Sequence, residues 1–265
     1  MAVTPEHYAR FAPLYRNLVR REVRQRYKGS LLGLAWTLLN PIVLVLTYSM
    51  VFHYLWRVVD IPRYPLFLFT GLAIWTFFLG GAQMAASSLV ANGNLVKKVR
   101  FPREIVPAAA ISANAVTSGA MFAIALPLGL ALSADSYAPL LALPVFVLLI
   151  AVLTLGFGLL LAALNVYFRD VEHILAALAM PWFFLTPIFY TFDTLPGIRA
   201  NSALLDVMYY GNPVTPFLSS IREIVFFGSW PSPADAVYCT AVAGAMLAIG
   251  ILVFRRLERE MAIEL

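Results

Sequence analysis

The sequence predicts an all-α polytopic membrane protein with six transmembrane helices. Six long uncharged stretches run through the chain, each close to the ~20 residues a helix needs to cross a ~30 Å hydrocarbon core. Hydrophobic residues make up 61% of the chain and charged residues only 12%, with a mean hydropathy of +0.81, an apolar balance that a water-soluble domain does not carry. Arg and Lys gather in alternate gaps between the stretches, as they do when helices thread back and forth through a bilayer.

In order, the expected spans fall near 34–56, 65–90, 106–132, 138–165, 174–192 and 236–254. The spacers are too short to fold as an aqueous domain, so 1–265 reads as one membrane domain: a segment 1–33, six spans over 34–254 and a tail 255–265. Arg10, Arg16, Arg20, Arg21, Arg24, Arg26 and Lys28 precede the first span; Lys97, Lys98, Arg100 and Arg103 follow the second, Arg169 the fourth, and Arg255, Arg256 and Arg259 the last. The other gaps hold only Arg57, Arg63, Arg199 and Arg222. Positive segments stay in the cytoplasm, so both termini are expected there. The same asymmetry accounts for the net charge of +5 and argues against a nucleic-acid partner. The first apolar stretch is of full spanning length and far from the start, unlike a cleavable signal peptide. The single cysteine, Cys239, falls in the last span, so no intrachain disulfide and no metal or redox centre is expected.

Before the first span, Tyr15, Val19, Val23 and Tyr27 recur at four-residue spacing, with Arg16, Arg20, Arg24 and Lys28 beside them. Such a helix can lie in the membrane surface, apolar side down, with its arginines at lipid phosphates; the same pattern also fits a basic tail that only sets topology. Gly29 marks a bend into the span, and Asn40-Pro41 sits a turn inside it. After the second span, Asn92-Gly93-Asn94 breaks the helix, a short basic amphipathic stretch follows, and Phe101-Pro102 ends it. That stretch reads either as a helix that docks into a groove on another protein or as a solvated turn. Pro107 and Pro127 in the third span, Pro144 in the fourth, and Pro181 and Pro187 in the fifth are candidate kinks. Arg169, Asp170, Glu172 and His173 cluster at the inner end of the fourth span, where local charge contacts are expected. No Gly-x-x-x-x-Gly-Lys-Ser/Thr phosphate loop occurs, so any ATP hydrolysis must come from another chain. A carboxylate in mid-span and an inverted repeat are both missing, which argues against a proton-driven secondary transporter.

One set of blocks is more specific. Arg26-Tyr27-Lys28-Gly29-Ser30-Leu31-Leu32-Gly33 with Trp36 and Asn40-Pro41 resembles the N-terminal signature of permease subunits of the type-2 ABC exporter family, in its polysaccharide and O-antigen export branch. The 95–107 segment, Tyr167-Phe168-Arg169-Asp170-Val171, Thr186-Pro187-Ile188-Phe189-Tyr190 and Gly211-Asn212-Pro213 are similar to further blocks of that family, in the same order.

The resemblance implies a homodimer in the bacterial inner membrane, paired with two copies of a cytoplasmic ABC ATPase that carries the ATP and Mg, and exporting a lipid-linked glycan among membrane lipids. Leu95, Val96, Lys97, Lys98, Val99, Arg100, Phe101 and Arg103 would form the coupling helix seated on the ATPase. Arg16, Arg20, Arg24, Tyr27 and Lys28 would belong to an amphipathic interface helix. The apolar stretch 214–227 would be a periplasmic re-entrant hairpin before the last span, with Arg222 and Glu223 facing water at its mouth or a partner across the dimer. Sugars stack their C–H faces on aromatic rings, so Tyr48, Phe52, Trp75 and Phe78 are the candidate lining of the substrate path, although aromatic residues in spans also serve as interfacial belts and as packing. No catalytic residue is expected. A type-2 exporter of teichoic acid or of a small molecule shares these features. A membrane-embedded glycosyltransferase or polymerase would need catalytic acids, yet Asp193, Asp206, Glu223 and Asp235 in the long outer loop show no catalytic spacing.

Overall fold

The computed structural model describes residues 10–30, 33, 35–55, 61–133, 137–194, 201–258 and 260–264. Among these there is no strand. Helix α1 (Ala12–Tyr27) is followed by α2 (Ala35–Tyr48), which runs on as a wider π-helical stretch, Ser49–Leu55. Then come α3 (Tyr64–Ala91), the short α4 (Gly93–Lys98) and α5 (Ile105–Ser133). A 3-10 turn, Ala138–Ala142, leads into α6 (Leu143–Tyr167), which is followed by α7 (Asp170–Leu185). The outer region holds α8 (Ser202–Tyr210) and α9 (Thr215–Arg222), the latter continued by a π-helical turn, Glu223–Phe227. Helix α10 (Pro233–Leu257) and a final turn, α11 (Met261–Glu264), end the chain. Trp56, Arg57, Arg199, Arg259, Leu31 and Leu32 lie outside the described residues, as does the side chain of Tyr27.

Among the described residues, five helices are long and apolar enough to cross a membrane: Ala35–Leu55, Tyr64–Ala91, Ile105–Gly129, Ala138–Tyr167 and Pro233–Leu257. The expected fifth span, 174–192, departs from this pattern, because α7 stops at Leu185 and Thr186 is extended at ψ 132°. Pro187 is the cause: its ring disfavours helical geometry at the residue before it, and it has no N–H to continue the ladder. Thr186 closes the helix by donating its hydroxyl to the Trp182 carbonyl at 2.8 Å. Two of the proposed kinks also vanish. Pro107 and Pro144 sit in the first turns of α5 and α6, where the backbone N–H has no helical acceptor to lose. Pro41, Pro127 and Pro181 are the prolines inside helices.

Helix α3 is the hub, buried along most of its length between α5, α6 and α7. Small residues let the neighbours close in. The closest approach is between α6 and α10, where a Cβ on Gly250 would overlap the carbonyl oxygen of Gly156. Backbones that touch in this way gain van der Waals contact, which drives helix association where lipid offers no hydrophobic contrast.

Helix α1 corrects an expectation. Its apolar side does not point down into lipid: Leu18 is buried in a cluster with Leu89, Val96, Ile105, Leu159 and Phe254, with Leu14, Tyr15 and Val19 packed against it. Tyr15 and Ser112 share a hydrogen bond between their hydroxyls at 2.5 Å, fixing α1 on α5. Arg16, Arg20, Arg24 and Lys28 are exposed on the other side, as the periodicity requires.

Candidate functional site

At the end of the bundle that carries α4, its neighbours hold it on several sides. Asn92 leads into it, donating from Nδ2 to the Ser88 carbonyl at 2.8 Å and accepting from Arg21 of α1 at Oδ1. Val96 points inward and is buried with Leu18 of α1, Phe254 of α10 and Met261 of α11, while Leu95 packs at the edge of the same cluster. Lys97, Lys98, Val99 and Arg100 are exposed. A six-residue helix with one buried anchor and a basic outer side is a docking element in form. The helical part is shorter than the 95–103 expected, because Val99 is extended at φ −121° and ψ 137°. Phe101 and Arg103 belong to the strap that follows.

That strap is tied to the end of the last long helix. Arg103 donates to the Glu258 carbonyl, and Tyr167, at the end of α6, donates to the Leu257 carbonyl at 2.8 Å. Both carbonyls lie at the α10 C-terminus, where helical N–H partners run out, and that of Leu257 also accepts from the Glu260 N–H at 3.2 Å. Burial, together with the nearby Glu104, pushes the Glu258 carboxyl above the usual glutamate range, although Arg103 and Arg255 pull the other way. At the start of α7, Arg169, Asp170, Glu172 and His173 are exposed and form no ion pair among the described residues. The two acids lie in the first turn of α7, where the helix dipole favours them.

The outer half is held by polar ties within an aromatic core. Trp182 donates its indole N–H to Asn212 Oδ1 at 3.0 Å, and Asn212 donates from Nδ2 to Thr186 Oγ1 at 2.8 Å. The Thr186-Pro187 and Asn212-Pro213 blocks, separate in sequence, thus form one joint. Arg222 overturns its expected position. It is 4% exposed and meets neither water nor the partner side. Its Nη1 donates to the Pro187 carbonyl, and its Nη2 to the carbonyls of Ile188 and, at 3.2 Å, Phe67. The guanidinium carbon also stands 3.6 Å from the centroid of the Phe67 ring. An arginine in an apolar interior must satisfy its donors locally, and here backbone carbonyls take the two terminal nitrogens, while Nε is buried without a partner. Glu223 is half-buried. Asp235 is buried and accepts from the Tyr209 hydroxyl at 2.8 Å.

The candidate aromatic path divides. Trp75 and Phe78 are buried, with Phe78 packed between Trp182 at 5.4 Å and Phe157 at 5.7 Å, so neither lines a path in this chain; burying rings of this size is what holds α3, α6 and α7 together. Tyr48 and Phe52 are partly exposed and stack on Phe189 at 6.0 and 5.2 Å.

Sequence reading missed a cleft of about 460 Å³ beside the inner half of α2. Arg26, Trp36, Thr37, Asn40, Thr76 and Ser118 line it, drawn from α1, α2, α3 and α5. Its signal was present but scattered: the Arg26 and Trp36 of the N-terminal block, and polar residues isolated within three different spans.

The arrangement joins a short basic helix to a bundle of long apolar helices, and the sequence that builds it is similar to that of known proteins. The model of the ABC-2 type transporter family matches residues 13–226. Over 246 residues the chain is 32% identical to the O-antigen export system permease protein RfbA of Myxococcus xanthus, covering 93% of each. It is 28% identical over 251 residues to the protein of that name from Klebsiella pneumoniae, covering 92% of each. To the polysialic acid transport protein KpsM of Escherichia coli it is 23% identical over 246 residues, covering 92% of this chain and 93% of the relative. Since the family match runs from the first turn of α1 through the π-helical turn after α9, taking in α4 and the joint at Asn212, the chain belongs to the ABC-2 type transporter family.

Proposed function

We propose that this chain is the permease subunit of an ATP-driven exporter that moves a lipid-linked polysaccharide of O-antigen type across the bacterial inner membrane. The observation that carries the reading is the similarity over more than nine-tenths of the chain to permeases whose names specify O-antigen and polysialic acid. The permease works as a homodimer with two copies of an ABC ATPase, and the ATP and Mg belong to that partner. Both termini are cytoplasmic. Helix α7 and the chain after it make the sixth crossing: 16 residues of helix rise about 24 Å, and the turn that follows covers the rest of the ~30 Å core. Helix α9 with its π-helical turn forms the re-entrant hairpin, reversed at Gly228, which adopts φ 62°.

In this mechanism the exposed Lys97, Lys98 and Arg100 seat on the ATPase. Closure of the two ATPases moves α4, whose buried Val96 and flanking strap pass the displacement to α1 and to the end of α10. The test compares glycan on the cell surface with glycan retained inside in cells lacking the gene. Loss from the surface with internal accumulation, restored by the intact gene but not by a variant carrying Lys97→Glu, Lys98→Glu and Arg100→Glu, supports ATPase-coupled export. Loss of the polymer everywhere points to synthesis, and an unchanged surface rejects the glycan.

A further inference from the structure

The cleft beside α2 is polar at a depth where polarity is costly. Helices α3 and α5 have 28 and 29 residues, about 42 Å of helix against a ~30 Å core, so each projects roughly 12 Å beyond it. Asn114 stands nine residues into α5, about 13 Å from its start, which places it near the inner boundary of the hydrocarbon. It is fully buried and donates to the carbonyls of Phe77 at 3.0 Å and Thr76 at 3.3 Å. Its Oδ1 accepts from Arg26 Nη1 at 3.4 Å, and so holds the guanidinium at the mouth of the cleft. Gly29 and Gly33, between α1 and α2, adopt φ 78° and 47°, a left-handed backbone open to glycine.

Four residues deeper on α5, about 6 Å, Ser118 is 2% exposed and its hydroxyl has no hydrogen-bond partner. A buried hydroxyl left unsatisfied at the wall of a cleft has a hydrogen bond to offer whatever fills that cleft. Thr37, Asn40 and Thr76 add further donors and acceptors, and no acidic side chain is among the described residues of the lining. The outer rim is apolar and open sideways: Trp36 is 51% exposed and Leu44 40%. One positive fork at the membrane boundary, hydroxyl and amide groups below it, an indole face and a lateral apolar opening match a lipid whose phosphate joins an isoprenoid chain to a sugar.

We propose that this cleft seats the phosphate-linked first sugar of the lipid-borne glycan in the inner leaflet, before it crosses, with Arg26 on the phosphate and Ser118, Asn40 and Thr76 toward the sugar. The assignment rests on the exporter reading above and supplies a binding site separate from the aromatic residues read as the substrate path.

The test is equilibrium binding of an isoprenoid diphosphate bearing one sugar to the full chain in phosphatidylcholine nanodiscs. Arg26→Gln should weaken binding about tenfold or more, and Arg26→Lys less, since it keeps the charge but loses the fork. Ser118→Ala should weaken binding about threefold with no loss of thermal stability, because a hydroxyl without a protein partner contributes nothing to the fold. Arg256→Gln, a matched loss of one exposed charge, should stay within about twofold. Unchanged binding in both Arg26→Gln and Ser118→Ala overturns the proposal. So does competition by phosphatidylglycerol as strong as by the unlabelled probe, which makes the cleft a general anionic-lipid site, or by inorganic diphosphate, which makes it a free-phosphate site. The surface-glycan phenotype of the gene deletion separates the two readings: if export is lost in the deletion but Arg26→Gln binds and exports normally, the cleft fails and the exporter stands. If the deletion leaves the surface unchanged, the exporter fails regardless of binding.

Discussion

Gly71 on α3 faces the guanidinium of Arg222 so closely that a Cβ there would overlap Nη2, with the Ile188 carbonyl 3.1 Å away. The glycine is therefore part of the arginine's socket. Its missing side chain is what lets the hairpin hold α3 and the 187–188 turn together.

Gly71→Ala is expected to displace Arg222 from its three carbonyls and to cost about 2–4 kcal/mol, since a buried charge loses its hydrogen bonds. Gly119→Ala, where a Cβ meets nothing within 4 Å, should be neutral or slightly stabilising because alanine is the better helix former. Thermal unfolding of the purified protein in detergent compares the two. Equal stability would mean that the socket does not constrain the fold.

Asn212→Ala should destabilise by about 2–3 kcal/mol, because it strands the Trp182 N–H and removes the amide that donates to the Thr186 hydroxyl. Trp182→Phe, which removes the donor but keeps most of the ring packing, should cost less. The difference between them is read from the same melting curves.

Tyr167→Phe together with Arg103→Met removes the two side-chain donors to the end of α10 while leaving the basic face of α4 intact. The double variant should still bind the ATPase but export glycan several-fold more slowly, because movement of α4 no longer reaches α10. Pull-down of the ATPase and a surface-glycan assay report the two properties separately. Normal export would show that the tie is structural only.

Burial raises the Glu258 carboxyl pKa in the folded protein. The folded state therefore keeps its proton over a window where the unfolded chain has lost it, so stability falls as pH rises from the ordinary glutamate range through the raised value. Glu258→Gln should flatten that decline. Melting temperatures followed upward in pH from the ordinary glutamate range measure it.

Much of the architecture was legible in the sequence. Five of the expected spans coincide with long helices, because length and apolarity alone decide what crosses a bilayer. The short α4 was legible too, from Asn92-Gly93-Asn94 before it and the lysines within it. The site was less so. Adjacent Arg222 and Glu223 suggest two charges facing water, yet the acceptors of Arg222 lie 34, 35 and 155 residues away in the chain. Trp75 and Phe78 form an aromatic stripe that reads equally as a path or as packing until Trp182 and Phe157 are seen against it.

The sequence by itself determined that this protein is a bundle of apolar helices with basic inner loops, since hydropathy and charge act locally along the chain and need no partner. The cause of the α7 terminus also lay in the sequence, in the backbone restriction that Pro187 places on Thr186, but length and apolarity alone carried the expected span on to 192. Only the tertiary structure decided which polar groups are spent on the fold and which are held open. Arg222 is consumed by carbonyls from two other segments, whereas Ser118 is buried at a cleft without a partner. Hydrogen bonds are satisfied in space, and the groups that satisfy them here come from distant parts of the chain.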